Sequence, residues 1–172
     1  ARSFIFGDQV NLRDKPSTSG KVIQTLRMGT EVEILGEETG IFTSNGVQSD
    51  WYSVSTEGND GNTLKGYIWG GLLALEGSRG MPGQPDLVFM VGLVSGDKDK
   101  GLVAEARLAQ NGKLIHKLPF HLINTPFGEP NRYDYSLRFR EFAVKEFAGL
   151  KQGYELGCYY EACGYETGEI LF

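Results

Sequence analysis

Alternating hydrophobic and polar positions run through most of the chain. Val10 and Leu12 alternate with polar neighbours, and Val32 and Ile34 do so further on. Side chains along a strand point to opposite faces in turn, so this pattern is typical of half-buried β-strands. Glycine, proline and Asn/Asp-Gly pairs separate these segments, as tight turns between short strands require. The pattern therefore predicts an all-β fold.

The strands predicted in the first half point one set of aliphatic side chains towards a common core. The predicted core residues are Leu12, Leu26, Val32, Ile34, Val54 and Ile68. Between these strands, residues 37–50 are mostly polar and contain Gly40, Asn45 and Gly46. We interpret this segment as an extended hairpin loop inserted between two strands.

The second half opens with a continuous apolar run over 86–94, which predicts a strand buried on both faces. A second strand over 102–108 is followed by a hairpin turn at 110–113 and a third strand over 114–122. Pro119 places part of that third strand at a sheet edge or a bulge. Apolar residues recur at helical spacing near 141–149, so a short helix there is an alternative to continued strand. This half is predicted to be an antiparallel sandwich or barrel.

The segment between the halves is rich in glycine and proline and has little to bury. Such composition is typical of a linker between domains. The predicted division is therefore a first domain over 1–76, a linker over 77–85 and a second β domain over 86–172.

The first half resembles the bacterial SH3-like domain. The resemblance rests on an Asn-Leu-Arg-x-x-Pro start at 11–16, a Gly-Thr-x-Val turn and strand at 29–32, a Trp-x-x-Val strand at 51–54 and a Gly-aromatic-aliphatic end at 66–68. It covers roughly residues 8 to 75 and implies an SH3-like small barrel. For residues 86–172 no family is recognised.

The resemblance also implies a function. Domains of this kind are typically found outside the cytoplasm, in the periplasm, at the cell surface or in secreted proteins. They often bind peptidoglycan peptides or proteins. The expected partner is therefore a cell-wall peptide or glycan, or a protein, and the expected role is that of a non-catalytic binding module of the bacterial cell envelope.

Charge and hydropathy limit the other partners. The net charge is −5 and neither half contains a basic run, which disfavours nucleic-acid binding. No apolar run approaches the roughly 20 residues of a membrane span. The first residue is Ala1, which fits a mature form after signal removal or a shortened chain. Nothing in the sequence indicates the oligomeric state.

Few residues are suited to catalysis, and we expect no cofactor. The two cysteines, Cys158 and Cys163, are spaced as free thiols unless a turn brings them together. His116 and His121 would point to opposite faces of one strand. Asp97 and Asp99 precede a glycine, as in calcium loops, but they are interrupted by lysines and fit a solvated turn. The alternatives are an accessory part of a cell-wall enzyme, or an enzyme with its site in 86–172.

Aromatic residues are the strongest candidates for a ligand site. If Val54 and Ile68 face the core, strand alternation sends Trp51, Tyr67 and Trp69 to the opposite face. These three rings form either a ligand platform or a surface covered by the second half or by the 37–50 loop. We expect an interface role for Trp51 and a ligand-facing role for Tyr67 and Trp69.

A second aromatic group is rich in tyrosine and lies in the second half. It comprises Tyr133, Tyr135, Tyr154, Tyr159, Tyr160 and Tyr165. Tyrosine is common on half-buried strands, and the alternative is a carbohydrate- or peptide-binding face.

Overall fold

The computed structural model describes residues 1–97, 99–122, 135–142, 148–158 and 168–172. Within these ranges the strands are β1 (Arg2–Phe4), β2 (Gln9–Arg13), β3 (Val22–Arg27), β4 (Glu31–Ser44), β5 (Val47–Glu57), β6 (Thr63–Trp69), β7 (Glu76–Met81), β8 (Gln84–Asp97), β9 (Gly101–Gln110), β10 (Lys113–His121), β11 (Tyr135–Glu141), β12 (Gln152–Cys158) and β13 (Gly168–Leu171). The all-β prediction is confirmed.

The only helical segment in the described ranges is a 3-10 turn at Gly70–Leu72. No helix in this described part is long and apolar enough to cross a membrane. The alternative helix near 141–149 falls mainly on 143–147, outside the described residues.

The first half forms a six-stranded antiparallel sheet in the order β1-β4-β5-β6-β2-β3. Its core contains the six aliphatic residues expected from the alternation. Leu12, Leu26, Val32, Val54 and Ile68 are buried together, and half-buried Ile34 packs against them. The predicted register of these strands is therefore confirmed.

The long polar segment 37–50 lies within one extended hairpin. Strands β4 and β5 continue through it and meet at a two-residue turn made by Asn45 and Gly46. Both turn residues have positive φ, at 50° and 74°, as the favoured two-residue hairpin turns require. The hairpin extends far enough along the molecule for its tip to meet strand β8.

The second half contains a four-stranded sheet in the order β10-β9-β8-β7. Residues 87–93 of β8 are buried throughout, as expected for a strand covered on both faces. Asn111 and Gly112 form the β9–β10 turn, again with positive φ. Among the described strands β10 lies at the end of the sheet, so the edge position inferred from Pro119 is confirmed.

The linker expected over 77–85 is wrong. Residues 76–81 form strand β7, which pairs with β8, and Pro82 and Gly83 are the turn between them. Glycine is used here for close packing, since a Cβ on Gly77 would lie 2.5 Å from Cδ2 of Phe4. Local composition could not distinguish this use from flexibility. The division of the chain into units 1–76 and 86–172 stays a prediction.

A third sheet, β11-β12-β13, packs on the second one. The ring of Tyr154 stacks on Phe89, with centroids 4.1 Å apart and an interplanar angle of 6°. Tyr135 and Tyr154 are buried, as expected for tyrosines on packed strands. The other four tyrosines of the group lie outside the described residues.

Two apolar clusters join the halves of the chain. One cluster unites Phe4, Phe6, Met28 and Ala74 with Val88, Met90 and Ala109. A larger one unites Val47, Trp51 and Trp69 with residues of β8, β9, β11 and β12. The two halves therefore share hydrophobic cores, which fixes the surfaces that form clefts between them.

Candidate functional site

The three predicted aromatic residues lie on neighbouring strands. Trp51 pairs with Trp69, and Tyr67 pairs with Ser53, in the β5–β6 ladder. All three belong to the cluster that joins the halves, whereas Val54 and Ile68 lie in the inner core of the first sheet. The predicted opposite orientation of the two sets is confirmed.

The open platform is not what the structure shows, because Trp51 and Trp69 are only 5% and 8% exposed. The indole Nε1–H of Trp69 donates to the carbonyls of Phe42 (3.1 Å) and Ser49 (3.0 Å). The Phe42 ring meets Trp69 edge-on, at 5.4 Å between centroids. Strand alternation indicates which face a ring occupies, but it does not reveal that the β4–β5 hairpin folds over that face.

The glycines around Trp69 also act differently from expectation. Gly71 packs directly against the six-membered part of the indole ring, where a Cβ would overlap the ring atoms. It therefore provides close packing for this part of the ring, where the larger side chain of another residue would not fit. Trp51 occupies the interface, as expected. Tyr67 is half-buried against the same cluster, and its ligand-facing role stays a prediction.

A cleft of about 390 Å³ lies beside Trp69, between the two halves. Its walls come from the start of the chain, the β4–β5 tip, the 3-10 turn, and strands β8 and β9. The lining residues are Phe6, Gly7, Asp8, Ser44, Asn45, Val47, Trp69, Gly71, Leu72, Leu93, Val94 and Arg107. Of the three predicted aromatic residues, Trp69 is the one that lines the cleft.

Arg107 is the best-anchored polar group of this cleft. Its Nε–H donates to Glu105 Oε2 at 2.9 Å, and its Nη2 lies 2.8 Å from the same oxygen. Its Nη1–H donates to the Phe6 carbonyl at 2.7 Å, and the guanidinium carbon lies 3.9 Å from the centroid of the Phe6 ring. Such contacts hold the guanidinium plane in one orientation.

Glu105 is the buried partner of this cation and is only 8% exposed. Its second oxygen lies 3.8 Å from Nζ of Lys117. Buried carboxylates are costly unless they are paired, so the two cations explain its location. The sequence alone could have indicated this pair. Strand 102–108 is otherwise apolar, and Glu105 and Arg107 are its two charged residues, at alternate positions.

Two further polar side chains border the cleft. Asp8 is exposed at its rim. Asn45 is engaged, because its Nδ2 donates to the Val94 carbonyl at 2.7 Å and fastens the hairpin tip to β8. The cleft therefore presents a cation and a carboxylate beside an apolar wall of Trp69, Leu93 and Val94.

The candidate catalytic residues are not brought into this cleft. Cys158 is a free thiol buried on β12, and burial raises its pKa. A raised pKa keeps the thiol protonated, which is the opposite of what a nucleophilic cysteine requires. His116 and His121 are exposed on β10 and point to opposite faces. Cys163 lies outside the described residues.

A second cleft, of about 180 Å³, lies on another side of the same interface. It is bordered by Arg27, Arg79 and the Asn111–Gly112 turn. Arg79 is already engaged there, because its Nη2 donates to the Gly29 carbonyl at 2.7 Å. It is the smaller of these two clefts and none of the predicted aromatic residues lines it.

Comparison with known families covers the first half of the chain. Residues 8–74 match the model of the bacterial SH3 domain, as the sequence resemblance predicted. The residues after 74 match no family model. No curated protein and no solved structure matches the chain significantly.

Proposed function

We propose that the chain is a non-catalytic binding module of the bacterial cell envelope, which recognises a cell-wall peptide in the cleft beside Trp69. Bacterial SH3 domains are often involved in cell-wall binding and occur in extracellular proteins, which supports a location outside the cytoplasm. We therefore propose that the module acts in the periplasm, at the cell surface or in secreted material.

The observation that carries the proposal is the cleft itself. It is formed jointly by the SH3 domain and the second half, and its volume of about 390 Å³ suits a small ligand. Its lining combines apolar side chains with the charged residues Asp8 and Arg107, a combination that can orient a ligand with both apolar and ionic parts. A peptide of two or three residues has that character.

The geometry favours a peptide over the other two expected ligand classes. Sugar rings are recognised by open aromatic faces, whereas the Trp69 ring is covered by Gly71 and Phe42. A protein partner needs roughly 800 Å² of surface on each side, which a small concave site does not offer. The cleft has the size and the charges for a short peptide.

The described candidates for thiol catalysis are not arranged as a catalytic pair. The Cys158 thiol is buried and its pKa is raised. The described histidines lie on a different strand from it, in another sheet. The described residues contain no cluster of three or more His, Cys, Asp or Glu side chains suited to a metal ion.

The test is to block the cleft without disturbing the core. Ser44 is exposed and lines the cleft, whereas its neighbour Thr43 is exposed but points away from it along the same strand. We expect Ser44→Trp to lower the apparent affinity for purified peptidoglycan, measured by co-sedimentation, at least tenfold. Thr43→Trp is the matched control and should sediment like the wild type.

Melting curves of both variants are part of the experiment. Equal melting temperatures would show that the two tryptophans differ only in their position relative to the cleft. Equal binding of Ser44→Trp and Thr43→Trp to peptidoglycan would contradict the proposed site. Absence of binding by the wild type would contradict the proposed function.

A further inference from the structure

The guanidinium of Arg107 is only partly used by its neighbours. A guanidinium has five N–H groups. Nε–H donates to Glu105 Oε2 and one Nη1–H donates to the Phe6 carbonyl, while Nη2 forms an ion pair with the same Glu105 oxygen at 2.8 Å, so three of the five are engaged by these two neighbours. Within the described residues the two remaining N–H groups, one on each terminal nitrogen, have no acceptor. A pair of this kind is what a guanidinium uses to bind both oxygens of a carboxylate.

The local charge also leaves room for one more anion. Glu105 faces two cations, Arg107 and Lys117, so the cluster has one positive charge in excess. The side chains of Arg107 and Glu105 are only 17% and 11% exposed. Charge-assisted hydrogen bonds are stronger in such surroundings than at an open surface.

The orientation of Arg107 is fixed before any ligand arrives. Glu105 holds one side of the guanidinium, the Phe6 carbonyl holds another, and the Phe6 ring lies against its face. A group ordered in this way loses little conformational entropy on binding. Glu105 and Phe6 are therefore positioning residues for Arg107.

We propose that Arg107 binds the terminal carboxylate of the peptide, so that the cleft is specific for a free peptide C-terminus. This inference rests on the proposed function and names the chemical group that the cleft recognises. Asp8, at the rim of the same cleft, is the negative group available to an ammonium of the ligand. Leu93 and Val94 provide an apolar wall for its side chains.

The first experiment changes the ligand and leaves the protein intact. The probes are the dipeptide alanyl-alanine, in its L,L and D,D forms, and the C-terminal amide of each. We expect at least one dipeptide to shift the Arg107 Nε–H and Trp69 Nε1–H signals saturably in nitrogen-15 spectra. The matching amide should bind at least tenfold more weakly. Equal affinities of acid and amide, or no saturable shift with either, would overturn the proposal.

The second experiment uses a matched pair of variants. Arg107→Lys keeps a cation beside Glu105 but loses the planar pair of donors, so dipeptide affinity should fall at least tenfold. Arg140 is the control, because its Nη1 lies 3.1 Å from Glu155 Oε2 and it is 5.7 Å from the Phe142 ring, away from the cleft. Arg140→Lys should leave the affinity unchanged. An unchanged affinity in folded Arg107→Lys would contradict the assignment.

The two proposals fail in different ways. Binding to peptidoglycan together with equal affinity for acid and amide would retain the proposed function and remove the carboxylate site. Selective binding of the acid without binding to peptidoglycan would retain the carboxylate site and remove the cell-wall assignment. If Arg107→Lys does not fold, the comparison of acid and amide on the wild type still decides the question.

Discussion

Two hairpin tips connect the halves of this molecule, and their local structures are nearly the same. The β4–β5 tip is Asn45–Gly46, with φ of 50° and 74°. The β9–β10 tip is Asn111–Gly112, with φ of 51° and 76°. Each tip extends from its own half and packs against the other half, and each borders one of the two clefts described above.

The tips differ in what they meet. The Asn45 tip contacts the backbone of β8: its side chain donates to the Val94 carbonyl, and its own carbonyl accepts from Gly96 N–H at 3.0 Å. A Cβ on Gly46 would overlap the Gly96 carbonyl. The Gly112 tip instead meets the side chain of Arg27, whose Cδ would lie 2.9 Å from such a Cβ.

This difference separates turn formation from docking. Asn-Gly favours the turn in both hairpins, because both positions need positive φ. How firmly each tip is held depends on the residues it contacts. A backbone carbonyl within a sheet cannot move aside, whereas the outer atoms of an arginine side chain can. We therefore expect the first tip, which borders the larger cleft, to be the more rigid of the two.

The largest expected effect comes from Trp69→Ala. This ring is buried, and its indole N–H is bonded to the two strands that lead to the Asn45 tip. Its removal should lower the free energy of unfolding by about 3–5 kcal/mol, the usual loss when a buried tryptophan is replaced by alanine. Chemical denaturation measures this loss.

Hydrogen exchange then shows whether the loss is local. Gly96 N–H, bonded to the Asn45 carbonyl, should exchange faster relative to Gly29 N–H, which is bonded to Ile5 near the other tip. Equal acceleration at both amides would mean that the two tips are not independent. A loss below about 0.5 kcal/mol would mean that Trp69 is not a packing residue.

The next effect compares the two glycines directly. Gly46→Ala should cost about 2–4 kcal/mol, because backbone strain at positive φ adds to overlap with a carbonyl that cannot move. Gly112→Ala has the same strain, but its new Cβ would lie 2.9 Å from Cδ and 3.0 Å from Cβ of Arg27, a milder overlap than that with the Gly96 carbonyl, so it should cost about 1–2 kcal/mol. Thermal or chemical unfolding of the two variants gives both values, and a larger loss at Gly112 would reverse the ranking of the tips.

Sequence patterns predicted what is encoded locally. The alternation of apolar and polar residues predicted that Leu12, Val54 and Ile68 lie in the inner core, and the Asn-Gly pairs predicted the hairpin turns. The same alternation placed Trp69 on the opposite face of the sheet but left its cover unknown. That cover is made by Phe42 and Ser49, which are 27 and 20 positions away and whose approach depends on tertiary packing.

The segment 77–85 and the cleft also depend on contacts between residues far apart in the sequence, which local patterns do not reveal. Glycine serves both flexible linkers and tight packing, and only the position of Phe4 reveals that Gly77 serves packing. Arg107 was visible in the sequence as a charged residue in an apolar strand. Its role as the anchored cation of a cleft depends on Phe6, which is 101 residues away along the chain.

The smallest effect isolates one hydrogen bond between the halves. Asn45 and Asn111 have almost the same positive φ, so replacing either by alanine introduces the same backbone strain. Of these two asparagines, Asn45 is the one whose side chain is seen to donate a hydrogen bond to the other half, from Nδ2 to the Val94 carbonyl. Asn45→Ala should therefore cost about 0.5–1.5 kcal/mol more than Asn111→Ala, the net contribution of a typical hydrogen bond. Because Asn45 is exposed, we expect the difference to fall in the lower part of that range. Urea unfolding of the two variants under identical conditions measures it, and equal losses would show that the side chain of Asn45 does not fasten the tip.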